Sequence, residues 1–194
     1  YHGQEVGEPA EGSEGFCGDN ARTTIFDYWS MPEFVKWVNG GKFDGGRLSE
    51  EQKSLRAWYG KLIRASKARA FTDGEFYGLN HANKENPDFG RMEDECVSGH
   101  WLYCFLRRDG KTGQAFLVVA NFHGSETLRG VRIRIPHDAQ MFLGLCSYEN
   151  WTFCDILASE WTGNAVRGHL ETDGLMLPDM LPCSALLLEI THFQ

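Results

Sequence analysis

The sequence predicts a mainly β protein: an antiparallel β-sandwich preceded by a long loop and one amphipathic α-helix. Three observations carry that prediction. One stretch, from Glu50 to Lys67, repeats its apolar residues at helical spacing. After Phe71 the apolar residues alternate or run continuously in strand-length segments between turn signals. The first 47 residues show neither pattern. With 194 residues, 42% apolar and 24% charged, the chain is long enough to bury a sizeable core and has the balance of a globular protein.

From Tyr1 to Arg47, glycines at 3, 7, 12, 15, 18, 40, 41, 45 and 46 break the chain, and aromatic residues gather at Phe26, Tyr28, Trp29, Phe34 and Trp37. An irregular stretch of that length usually serves a function. Inside it, MPEFVKWV predicts a short helix with Pro32 in the first turn, where its missing N–H is no loss. Ser49 is followed three residues later by Gln52, the pattern of a capping box, with Leu48 ahead of it. Leu55, Trp58, Tyr59, Leu62 and Ile63 then share one face, so the spacing predicts a helix over 50–67.

Beyond Phe71, EFYGLNHA, HWLYCFLRR, QAFLVVANF, LRGVRIRIP, NAVRGHLE, GLMLP and CSALLLEITHF read as strands, bounded by turn signals such as HGSE and ETDG. RRDGKTGQ between two strong strands predicts a hairpin. Val131, Ile133 and Ile135 face one way while Arg132 and Arg134 face the other. PHDAQMFLGL, with Pro136 and Asp138 near its start, predicts a short helix. CVSG before Trp101 and the stretch YENWTFCDILASEW carry no decisive period. Many short strands at hairpin spacing are the pattern of an antiparallel sandwich.

A net charge of -8 with no basic stripe repels phosphate backbones, which excludes nucleic acid as an expected partner. No apolar run approaches membrane-spanning length, and the amino terminus lacks the basic and apolar blocks of a signal peptide, so no membrane partner is expected either. Cys17, Cys96, Cys104, Cys146, Cys154 and Cys183 include no C-x-x-C pair and no histidine at zinc-ligand spacing. Buried reduced thiols are the expected state, with disulfides the minority reading, and no cofactor is predicted. None of the seven histidines pairs with a Ser or Cys in a nucleophile motif, so a hydrolytic triad is not supported.

Several segments, in this order, resemble the α-amylase family, glycoside hydrolase family 13. YHGQEVG, Tyr1 to Gly7, is much like the signature that ends the eighth strand of that family's (β/α)8 barrel. ARTTIFDYW, Ala21 to Trp29, is similar to the following loop with its Arg and aromatic block. LRAWYGKLIRASKA resembles the eighth helix, ARAFTDGEFYGLN the entry into the carboxy-terminal β-sandwich, and GLMLPDMLPCSALLLEI the end of that sandwich. The resemblance covers the chain from end to end. It implies a barrel remnant at 1–69, with helix 8 at about 50–67, and a Greek-key sandwich domain at 70–194. It further implies the carboxy-terminal portion of a glycosidase or transglycosidase acting on α-glucans, whose partner is the upstream barrel of the same parent chain.

Glycoside hydrolysis with retention needs two carboxyls about 5 to 5.5 Å apart. The resemblance puts the nucleophile Asp, the acid Glu and a third, stabilising Asp at the ends of the fourth, fifth and seventh strands, all upstream of Tyr1. The segment alone is therefore expected to be structural and inactive, with no catalytic residue of its own. GFCGDNA is similar to the nucleophile motif only superficially, because Cys17 stands where an essential Arg belongs and Asp19 follows the eighth-strand signature. LNHAN lacks the Asp that the seventh-strand motif carries after its His.

The resemblance implies that the loop from Glu8 to Arg47 lies on the carboxy-terminal face of the barrel, where such enzymes place their sites. Arg22 there resembles an Arg that helps hold sugar in some relatives; equally, it suits an ion pair with Asp19 or Asp27 that fixes the loop. Tyr28 and Trp29 present flat faces that match a pyranose ring, or they form the core of the loop. Glu5, Glu8, Glu11 and Glu14 are spaced as a solvated face and receive no chemistry, and because the family's calcium sites lie mostly outside this region the resemblance implies no metal. Two other function classes stand beside the first: a non-catalytic α-glucan-binding module, and an interaction domain with accidental similarity. Tyr148, Trp151 and Trp161 are candidates for an exposed sugar platform, with core packing the favoured reading. The apolar face of the predicted helix exceeds what a sandwich alone needs to cover, so either residues 1–47 fold back over it or the fragment self-associates through it.

Overall fold

The computed structural model describes residues 3–9, 31–157 and 161–193. Two compact units divide the chain, Tyr1–Ile63 and Arg64–Gln194.

In the first unit a 3-10 turn, Gln4–Val6, is framed by Gly3 (φ 91°) and Gly7 (φ 72°). Both lie in the left-handed region, which glycine enters without a Cβ penalty. The helix read from MPEFVKWV forms as α1 (Pro32–Val38), with Pro32 at its start and Asn39 (φ 47°) turning the chain out of it. The longer helix forms as α2 (Glu50–Ala65), ending two residues short of Lys67. Its capping box closes in both directions: the Gln52 N–H donates to Ser49 Oγ at 3.2 Å, and the Ser49 N–H donates to Gln52 Oε1 at 3.0 Å. No residue of α2 is buried, and Ile63 is 55% exposed. Part of the preceding segment does return to this helix. Gln52 Nε2 donates to the Val6 carbonyl at 2.9 Å, and the Arg56 guanidinium lies 3.6 Å over the Trp37 ring.

The second unit contains eight strands and four short helices among its described residues. In chain order these are α3 (Arg69–Thr72), β1 (Glu75–Gly78), α4 (Asn80–Asn83), β2 (Leu102–Arg108), β3 (Ala115–Asn121), β4 (Arg132–Ile133), α5 (His137–Leu143), β5 (Asn150–Asp155), β6 (Thr162–Val166), α6 (Arg167–Leu170), β7 (Leu175–Met176) and β8 (Ala185–Phe193). Six strands make one sheet in the order β1-β2-β3-β8-β5-β6, every pairing antiparallel, and β4 pairs antiparallel with β7 in a second, smaller sheet. The protein is mainly β, as the strand pattern requires.

Register explains the core. Leu106, Leu117 and Leu188 meet across β2, β3 and β8, as do Cys104, Val119 and Leu186 one step along, and all six are buried. On the other side of β8, Phe153 of β5 pairs with Ile190, two residues beyond Leu188, and both are buried. Val131, Ile133 and Ile135 are fully buried in the same cluster, while Arg132 and Arg134 stay half-exposed, which is the alternation the sequence shows. Trp151 is fully buried, and Tyr148 and Trp161 pack half-buried against the cluster, so the core reading holds for Trp151. The β2–β3 hairpin forms where RRDGKTGQ predicts it. The Asp109 carboxylate ties it by accepting from the Lys111 and Thr112 N–H groups and the Thr112 hydroxyl. The PHDAQMFLGL helix is α5, stopped by Gly144 at φ 67°.

Four expectations are corrected. EFYGLNHA stays extended only to Gly78, because Asn80 replaces a continuing strand: its Oδ1 accepts the Cys104 N–H at 2.8 Å and its Nδ2 donates to the Leu102 carbonyl at 2.7 Å. LRGVRIRIP keeps only two residues in a ladder, because asparagine side chains take over its edge: Asn83 bonds both backbone groups of Arg134, and Asn86 donates to the Arg132 carbonyl. NAVRGHLE leaves the sheet at Val166 and turns into α6, which sends Leu170 fully into the core and its carbonyl to the Ile135 N–H. Finally, the thiols are not uniformly buried. Cys104 is, but Cys96 and Cys183 are exposed and Cys146 and Cys154 half-buried; all five are free, and Cys17 lies outside the described residues.

Candidate functional site

Arg22, Tyr28 and Trp29, the residues read as sugar-contacting, fall outside the described residues, as do Asp19, Glu11 and Glu14. What surrounds them in sequence is described on both sides, at Gly3–Pro9 and from Met31 onward.

Glu8 has a definite job there, which corrects its reading as part of a solvated face. Its Oε2 accepts the backbone N–H groups of Glu33 and Phe34, each at 2.9 Å. These are orphan donors of the first turn of α1, whose own N-cap, Met31, supplies no side-chain acceptor. A carboxylate suits that end of a helix, where the peptide dipoles leave partial positive charge. The sequence held a hint: a helix opening with Met-Pro-Glu has no capping side chain of its own, so an acceptor must come from elsewhere. Glu5 accepts the Gly3 N–H at 2.9 Å and so stiffens the 3-10 turn.

Beside this turn lies a cleft of about 290 Å³ lined by Val6, Gly7, Pro9, Glu33, Glu51, Gln52 and Leu55. Its two carboxylates are both held in the charged state. Hydrogen bonding from Lys36 holds Glu33 below the usual carboxylate range, with Gln52 adding to it. Glu51 is lowered by its own backbone N–H and then by Ser49. Asp44 and Asp109 also move down, Asp44 through Asn39 first and Asp109 to about 2 through the Thr112 hydroxyl first. A glycosidase acid needs the opposite shift, a carboxyl kept protonated near neutral pH. The cleft thus presents two ionised carboxylates as hydrogen-bond acceptors.

In the second unit the strongly perturbed groups are structural. Tyr77 is pushed up to about 12, by burial first and then by its hydrogen bond to the Asp138 carboxylate. Burial raises the Cys104 thiol well above its ordinary value, which keeps it an inert core residue. Among the described residues, no three His, Cys, Asp or Glu side chains gather as a metal site, and no helix is long and apolar enough to cross a membrane. No protein-family model matches the chain, and no curated protein is significantly similar to it.

Proposed function

We propose that this chain is the carboxy-terminal portion of an α-amylase-like glycosidase or transglycosidase of glycoside hydrolase family 13, acting on α-glucans. Residues 1–69 are the end of its (β/α)8 barrel and 70–194 its Greek-key β-sandwich. The observation that carries the reading is the order of the motifs: YHGQEVG, the aromatic loop, the amphipathic helix, then strands only. Three structural features support it. Residues Gly3 to Gly7 turn tightly between two left-handed glycines, as a strand end entering a loop would. The apolar face of α2 finds no full burial, as expected of a helix that covers a barrel strand. In the second unit, β4, β7 and the six-stranded sheet contribute to one core, and β8 inserts between β3 and β5, an order suited to a two-layered Greek-key sandwich.

The role of the segment is to complete and brace the parent fold, and the working carboxyls belong to the upstream barrel. That barrel is the natural cover for the apolar face of α2, and the fragment by itself associates through this face. Arg22, Tyr28 and Trp29 belong to the sugar-facing loop. The experiment is an assay of residues 1–194 on maltoheptaose, following new reducing ends. No release is expected; turnover that disappears when a carboxylate of this chain is changed to its amide refutes the reading. The alternative, a non-catalytic α-glucan-binding module, draws on a groove in the second unit beside Tyr148 and His192.

A further inference from the structure

We infer that the second unit holds a short oligosaccharide in a groove at the free end of β8, against the stacked rings of Tyr148 and His192. The groove follows from unequal strand lengths. The β3–β8 ladder stops at Phe116 opposite Glu189, while β8 runs on to Phe193 with β5 as its partner. One edge of β8 beyond Glu189 is thus left open. The tip of the β2–β3 hairpin with the first residue of β3, Thr112 to Ala115, and Gly144, Leu145 and Tyr148 after α5 line the opening together with β8. The space between them is about 650 Å³, within the range of roughly 300–1,000 Å³ typical of small-molecule sites.

The walls combine a rigid ring surface with unused polar groups. The Tyr148 and His192 rings stack with centroids 3.4 Å apart and planes 25° from parallel. The backbone of Tyr148 is fixed at both ends, its N–H donating to the Leu145 carbonyl at 3.0 Å and its own carbonyl accepting Trp151 Nε1 at 3.1 Å. Its ring packs half-buried on the core, so the stack is held in place. Around it the Tyr148 hydroxyl, the His192 imidazole, the Glu189 carboxylate and the Thr191 hydroxyl make no hydrogen bond among the described residues. Gln114 spends only its Oε1, on the Ala70 N–H, and keeps its amide donors.

Ligand class follows from these groups. An apolar ligand leaves a carboxylate, two hydroxyls and an amide without partners as it covers them, at about 1–3 kcal/mol for each group fully desolvated. An anionic ligand meets Glu189 and a net charge of -8. A pyranose brings a rim of hydroxyls that both donate and accept, and an apolar face that lies against a ring. That the ligand is a saccharide rests on the groove alone; that it is α-linked rests on the family proposed above.

The test is titration of residues 1–194 with maltoheptaose and, separately, with cellohexaose, by calorimetry. Parallel titrations use His192→Ala, His192→Phe and Glu189→Gln, with circular dichroism confirming that each variant is folded. Saturable binding of maltoheptaose is expected, weakened by about tenfold or more in His192→Ala and Glu189→Gln and largely kept in His192→Phe, which restores a ring. Cellohexaose bound with the same sensitivity supports the groove while overturning the α-glucan assignment. No saturable binding of either sugar up to about 10 mM, or binding indifferent to His192→Ala and Glu189→Gln, overturns the groove, whatever the family of the chain.

Discussion

Replacing Asn83 with Ala should destabilise the second unit more than any surface change, because one buried amide stands in for a missing strand. Asn83 is fully buried and its side chain makes four hydrogen bonds. Its Nδ2 donates to the carbonyls of Leu79 at 3.0 Å and Arg134 at 2.9 Å; its Oδ1 accepts from the Arg134 N–H at 2.8 Å and from Asn86 Nδ2 at 3.1 Å. Asn83→Ala strands both backbone groups of Arg134 and one donor of Asn86. A buried group left unpaired costs about 1–3 kcal/mol, and these sites are partly buried, so the expected loss is about 2–5 kcal/mol. That is a large part of the roughly 5–15 kcal/mol that holds a domain folded. Urea unfolding followed by tryptophan emission reads it directly, since Trp151 is fully buried in this unit. Asn164→Ala on exposed β6 is the control, expected within about 0.5 kcal/mol of the parent. A loss below about 1 kcal/mol for Asn83→Ala refutes the idea that side-chain amides substitute for a neighbouring strand along β4.

Other outcomes follow from the same contacts. Glu8→Ala frees the Glu33 and Phe34 N–H groups, so hydrogen exchange at those two amides should speed up and α1 should lose about 0.5–2 kcal/mol; unchanged exchange contradicts the capping role. Asp109 is held at about 2 when folded against an ordinary 3.8, so its carboxylate stabilises the fold above pH 4 and that contribution fades as pH falls from about 4 toward 2. Asp109→Asn should flatten the stability profile over that window, and an unaltered slope in acid titration of thermal unfolding counts against the assignment. With a thiol reagent on the folded chain, Cys96 and Cys183 should label quickly and Cys104 only on unfolding; rapid labelling of Cys104 contradicts its buried placement.

Local patterns were legible in the sequence, and non-local substitutions were not. The capping box of α2, the hairpin at Asp109 and the Val131-Ile133-Ile135 face depend on residues within a few positions of each other, so spacing alone reveals them. Strand β5 was harder, because Asn150–Asp155 alternates over too few residues to stand out from its aromatic neighbours. Asn80 and Asn83 turn a strand reading into a helical one through partners 22 to 51 residues away, which no window reports. The cap from Glu8 to α1 spans 25 and 26 residues and was invisible for the same reason. Of the candidate site, the aromatic loop was legible as a pattern only; Arg22, Tyr28 and Trp29 lie outside the described residues. The groove beside His192 arises from the mismatch in length between β3 and β8, and that mismatch is a property of pairing.

The proposal that the working carboxyls lie upstream of Tyr1 is tested most directly by sequencing the coding DNA that precedes the Tyr1 codon. The expected result is an open frame encoding the rest of a (β/α)8 barrel, with an Asp, a Glu and a second Asp at the ends of its fourth, fifth and seventh strands. A start codon immediately ahead of Tyr1, or a continuous frame without that strand and helix alternation, contradicts it.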